Sequence, residues 1–159
     1  MKKGSLRKAL SHFATGIAVI TTFTPNKNSY GVTVNSFTSV SLDPPIILFS
    51  LKKNSILIDL IEQSGFFGVN ILSSCQQELA ERFSRDEESK DLLGISLTNS
   101  KVLSPLFKNA LATFDCQWKL NHEGGDHVII LGDVKKFHLG KGLPLLYFRS
   151  NYTRLGKMN

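Results

Sequence analysis

The chain has 159 residues, 42% of them hydrophobic, and a formal net charge of +6. That length suits one domain with one substantial core. No apolar run approaches the roughly 20 residues needed to cross a bilayer as a helix. The two cysteines, Cys75 and Cys116, lack CxxC spacing, and the four histidines form no ligand pattern, so neither a disulfide framework nor a metal site is expected. Residues 1–10 are basic and lack the apolar segment of a secretion signal, which points to the cytoplasm. The positive charge favours anionic partners but is spread along the chain, which suits small anionic ligands better than nucleic acid.

From the N-terminus, Ser5 to Phe13 can form a short helix with Leu6, Leu10 and Phe13 on one stripe. Ile17 to Phe23 is a β-branched run that reads as a strand. A turn at Pro25 to Ser29 leads to a second strand, Tyr30 to Phe37, so the pair reads as a hairpin. After Asp43-Pro44-Pro45 comes an apolar strand, Ile46 to Leu51. Asn54 or Ser55 can cap a helix to about Gln63, with Gly65 at its C′ position.

Phe66 to Leu72 is another strand, and Ser74 with Gln77 suggests a capping box for the next helix. That helix carries Leu79 and Phe83 four apart, and Glu78 and Arg82 as an ion pair. Ser84 to Lys90 reads as a mobile charged segment. From Ala112 to Leu120 apolar and polar residues alternate, predicting a strand with Ala112, Phe114, Cys116, Trp118 and Leu120 buried and Thr113, Asp115, Gln117 and Lys119 wet. Gly124-Gly125 turns the chain into His127 to Lys135, and Pro144 to Phe148 is a last strand. Six or seven strands with two or three short helices predict a single, mainly antiparallel β-barrel domain over residues 1–159.

No catalytic triad, Walker loop, dinucleotide fingerprint or carboxylate pair is present. Three features offer ligand chemistry instead. Thr33 to Ser41 is a run of small hydroxyl and amide groups whose short side chains leave backbone donors accessible. Ser50 to Ser55 passes from strand to helix with two lysines beside a helix N-terminus, an arrangement that favours phosphate. Gly125-Asp126-His127 puts an imidazole at the start of a strand. Each taken alone is also ordinary surface structure.

Taken together with HFATGIAVITT (12–22), GVTVNSFTSVSLDPP (31–45), FGVNIL (67–72), QQELAERFS (76–84), GDHVIILGDV (125–134) and PLLYFRSNYTRL (144–155), these features make the chain resemble the flavin reductases that supply reduced flavin to two-component monooxygenases. The resemblance implies an FMN-binding split β-barrel, a homodimer, FMN or FAD as flavin, NADH or NADPH as hydride donor, and an oxygenase partner. It implies flavin contacts from Thr33, Asn35, Ser36, Phe37 and Thr38, and phosphate contacts from Ser50, Lys53, Asn54 and Ser55. Arg82 and Phe83 would close the site, and Tyr152 belongs to a C-terminal motif nearby. His127 would position the nicotinamide without acting as an obligatory acid. Ser150 stands where the family often has Gly, and Leu57 where a Thr is frequent. A non-catalytic flavin-binding carrier or sensor on the same barrel is the alternative; neither a nucleic-acid partner nor a membrane is expected.

Overall fold

The computed structural model describes residues 3–85, 91–98 and 101–156. Helix α1 spans Lys3–Leu10, α2 Ile56–Ser64 and α3 Gln77–Ser84. The strands are β1 (Thr15–Gly16), β2 (Ala18–Phe23), β3 (Ser29–Val34), β4 (Thr38–Leu42), β5 (Pro45–Lys52), β6 (Phe66–Ile71), β7 (Ala112–Gly124), β8 (His127–Leu139), β9 (Leu145–Phe148) and β10 (Asn151–Arg154). Seven form an antiparallel sheet in the order β3-β2-β6-β7-β8-β5-β4, and β1, β9 and β10 form a small second sheet. The sheet curls without pairing its ends, giving a mainly β, split-barrel architecture.

β2 shows why both faces of the sheet can be apolar. Ala18 and Ile20 enter an inner core with Phe49, Phe67, Cys116 and Ile130, while Ile17 and Val19 enter an outer core with Leu72, Phe83, Phe107 and Leu145. Its neighbours therefore cover it on two sides, so its β-branched run is continuous and not alternating. Inside, the Phe49 and Phe67 rings meet edge to face at 5.1 Å. The expected hairpin is present as β2 and β3, in the register Ala18↔Val34. Gly65 ends α2 with φ 72° and donates its N–H to the Ile61 carbonyl.

Several expectations fail locally. The capping box at Ser74 and Gln77 does not form: α3 begins one residue past Gln76, whose side-chain oxygen accepts instead from the Ser73 N–H at 2.9 Å. Arg82 reaches the Asp91 carboxylate at 3.0 Å and the Asp91 and Leu93 carbonyls. The strands β4 and β10 were not anticipated, because their polar sequences carry no buried stripe. Of the charged segment 84–90, residues 86–90 lie outside the described residues.

The largest departure concerns β7. Thr113 and Asp115, assigned by alternation to water, are buried. The segment 103–107 folds over that face and is held by polar side chains. Asp115 accepts the Leu103 N–H at 2.7 Å and the Ser104 hydroxyl, Asn70 accepts the Phe107 N–H at 2.7 Å, and Thr21 donates to the Pro105 carbonyl. Gly68 admits the segment: a Cβ there would stand 2.8 Å from the Pro105 carbonyl oxygen. A buried carboxylate with two donors is costly to truncate, because both donors are then left unmatched. Asp115→Ala should lower unfolding stability by about 2–4 kcal/mol in urea titrations; a loss below about 1 kcal/mol would show that Leu106 and Phe107 hold the segment by burial alone.

Candidate functional site at the open seam

The end strands of the large sheet, β3 and β4, do not pair, and a cleft of about 610 Å³ opens at the seam between β3 and the second half of β5, past its pairing with β4. β3 lends it Tyr30, Val32, Thr33 and Val34, and the connection to β4 adds Asn35 and Ser36. Opposite stand Ser50, Leu51 and Lys52 of β5, followed by Asn54, Ser55 and Ile56 at the start of α2. Ser84, the last residue of α3, and His127, the first of β8, complete the wall. β3 pairs along its length with β2 and bridges Asp91 at Tyr30, so the rest of its outer edge presents backbone groups toward this space.

The seam is tied at one point. The Ser36 hydroxyl accepts the Ser50 N–H at 2.9 Å and donates to the Ser50 carbonyl at 3.1 Å. A side chain thus does what a strand pair would do, at the spot where the sheet fails to close. Thr33 is likewise engaged, donating to the Ala80 carbonyl at 2.8 Å and pinning α3 against β3. Both hydroxyls shape the wall. By contrast, Ser55 stands at the N-cap position of α2 in extended backbone, yet its side chain makes no capping bond. The cleft therefore meets a helix N-terminus whose first N–H groups have no side-chain cap, an electropositive end suited to an anion.

His127 lies directly across the ladder from Lys52. Its Nδ1 sits 2.8 Å from an Asp126 carboxylate oxygen, and that hydrogen bond holds the Asp126 carboxyl below its usual range. The Asp126 carbonyl accepts the Lys53 N–H at 3.1 Å, which docks the β7–β8 turn on the start of the α2 loop. Tyr30 in the cleft is raised by burial, so its phenol stays protonated at neutral pH.

Of the residues expected at a site, Thr33, Asn35, Ser36, Ser50, Asn54, Ser55 and His127 meet in this one cleft. Others lie elsewhere. Lys53 turns outward to Glu123 at 3.1 Å, and its neighbour Lys52 lines the cleft. Phe37 packs on Phe114 at 5.8 Å, and Thr38 is exposed at the start of β4. Phe83 is buried in the outer core beside Phe107, and Arg82 is on Asp91; α3 contributes Ser84 to the wall instead. Tyr152 packs on Tyr147 at 5.3 Å. Burial raises its phenol, while the adjacent Ser84 hydroxyl pulls the other way, so Tyr152 stands behind the cleft wall. Tyr30, Val32 and Ile56 were missed; Tyr30 and Val32 lie two apart on β3, a period-two signal that pointed to them.

The polar cleft lies at the open edge of a split barrel, beside a helix N-terminus and a histidine. The chain belongs to the flavin reductase-like family, whose domain model matches residues 10–156. It is 37% identical over 153 residues to the FMN reductase (NADH) SmoA of Agrobacterium fabrum, covering 96% of this chain and 86% of that one. It is 34% identical over 155 residues to the reductase component of 4-hydroxyphenylacetate 3-monooxygenase from Thermus thermophilus, covering 96% and 97%. The solved flavin reductase PheA2 superposes with a TM-score of 0.90 at 34% identity, covering 99% of this chain and all of that one.

Proposed function

We infer that this chain is an NAD(P)H-dependent flavin reductase that passes reduced flavin to an oxygenase partner. The observation that carries the reading is the convergence of the β3 edge, the α2 N-terminus and His127 on one cleft. These residues fit a flavin: open backbone donors suit ring carbonyls, and an uncapped helix start beside Lys52 suits a phosphate. Bound flavin would supply the hydride acceptor, a step in which the protein's part is binding and orientation. Asn35, Ser50, Asn54, Ser55 and Lys52 would hold it, while Ser36 and Thr33 fix the wall against which it lies. His127, with its Nδ1 held by Asp126, keeps Nε2 for the nicotinamide side. Two free cysteines, one of them exposed, support a cytoplasmic location.

Ser55→Ala should weaken FMN more than riboflavin, by about 1–2 kcal/mol, since a hydrogen bond to a charged group is removed. Ser36→Ala, which loosens the wall, should weaken both ligands alike. Equilibrium titrations with the two flavins separate these outcomes, and equal losses for Ser55→Ala would remove the phosphate assignment.

Nicotinamide turnover decides between a reductase and a passive flavin carrier. Loss of absorbance at the nicotinamide band, with FMN or FAD as acceptor, is expected for the wild type. His127→Ala should raise the apparent KM for NADH or lower the rate by about tenfold, the scale of one lost hydrogen bond. Flavin affinity should hold. No turnover by the wild type would leave the carrier reading standing, and a thousandfold fall in the variant would give His127 an acid–base role.

The homodimer is part of the same proposal. Val40 and Leu42 on β4 and Phe137 and Leu139 on β8 are exposed apolar residues on strands, which a second copy of the chain would cover. Light scattering should give a mass of two chains; a fully active monomer at working concentration would refute it.

A further inference from the structure

Helix α1 is turned the unusual way round. Its apolar stripe, Leu6, Leu10 and the following Phe13, faces water, with Leu10 65% and Phe13 78% exposed. Its polar stripe has helical spacing too: Gly4, Arg7, Lys8, Ser11 and His12. These five line one side of a cleft of about 520 Å³, and Arg149 and Ser150 of the β9–β10 turn line the other. An amphipathic helix by default puts its apolar side against the protein. Here no α1 residue is buried, and the basic side borders the cleft.

The β9–β10 connection is a two-residue hairpin turn that lines the cleft. Arg149 and Ser150 both have positive φ, 49° and 62°, a conformation that costs a non-glycine residue on the order of 1 kcal/mol or more. The Arg149 N–H is donated to the Ser11 carbonyl at 2.7 Å, and Asn151 donates to the Arg149 carbonyl at 2.9 Å. Phe148 is an ordered platform below, with the Arg149 guanidinium 5.2 Å from its centroid and the His12 ring edge-on at 6.2 Å. The carbonyls at the end of α1 are satisfied internally, since Lys8 accepts from the Ser11 hydroxyl at 2.7 Å and from His12 Nδ1 at 2.8 Å. Basic residues in the last turn of a helix complement its dipole, which accounts for Arg7 and Lys8. It does not account for Arg149, which arrives from another element. No acidic side chain lines the cleft.

We propose that the cleft between α1 and the β9–β10 turn is an anion site, lined by residues other than those of the seam, that takes a phosphate group, free or esterified. Two guanidinium groups, an ammonium and an imidazole converge there, and guanidinium forks match phosphate oxygens in pairs. The volume exceeds that of one phosphate ion, so the ester's carrier has room. The phosphate has two sources, a free inorganic anion or a nucleotide.

Calorimetric titration of the full chain, without flavin and in low-chloride buffer, tests the site with inorganic pyrophosphate and with adenosine 2′,5′-bisphosphate. Both should bind, and an Arg7→Gln/Arg149→Gln double variant should lose at least about tenfold in affinity for each. Tighter binding of the bisphosphate assigns the site to nucleotides, and equal binding assigns it to the free anion; either upholds it. FMN affinity should be unchanged in the double variant, so the outcome is independent of the seam reading. Lys8→Gln, which removes the charge without reversing it at the helix end, provides a second variant that should weaken binding of both anions while far-ultraviolet circular dichroism keeps the wild-type fold. No heat from the wild type, or the same affinity in wild type and variants, overturns the site.

Discussion

The structure depends on a sheet that curls toward closure and stops. Between β3 and β5 the backbone ladder is missing, and one serine hydroxyl bridges the gap by bonding both polar groups of Ser50. Complete closure would satisfy the β3 edge with another strand and leave no room for a ligand. Complete separation would leave Tyr30 and Val32 on one wall with nothing opposite. The tie at Ser36 holds the two edges together at one point and leaves the cleft open beyond it. The cleft therefore follows from a topological defect that one side chain stabilises.

That arrangement explains why the site contains few groups with conventional catalytic character. The hydroxyls of Thr33 and Ser36 are engaged in backbone bonds, and Asn54, Ser55 and Lys52 stand at a helix start. His127 bonds through Nδ1 to the exposed Asp126 carboxylate, so the pair orients the ring against the cleft. Chemistry carried by bound cofactors requires rigid walls, and both walls here are strands anchored in the inner core through Val34, Leu51 and Phe49.

Much of this was legible in the sequence where periodicity or turn chemistry acted alone. The β2–β3 hairpin, the α2 helix with its terminal Gly65 and the long β7 strand are local events, and the chain spells them out. The alternation at Thr113 and Asp115 misled because it reports only which residues share a face, and the segment that covers that face is some ten residues away and irregular. β4 and β10 were illegible because edge strands with polar sequences bury no stripe. For the site, motif resemblance pointed to Lys53, whereas the residue that lines the cleft is its neighbour Lys52. Strand alternation decides it: Lys52 continues the face of Ser50, while Lys53 lies past the end of β5 and bonds Glu123.

α1 shows how one short element can serve two surfaces at once. Eight residues bury nothing in the isolated chain, and isolated helices of that length are marginal in water. Its order must therefore come from what it touches. On one side the Arg149 N–H anchors the turn that ends it; on the other an apolar stripe remains uncovered. A partner surface on that stripe would stabilise the helix, and the stabilised helix would hold Arg7, Lys8 and His12 against the β9–β10 turn. Assembly and the basic cleft then share a single free energy: whatever orders α1 favours both, and an anion in the cleft would reciprocally favour the covered stripe.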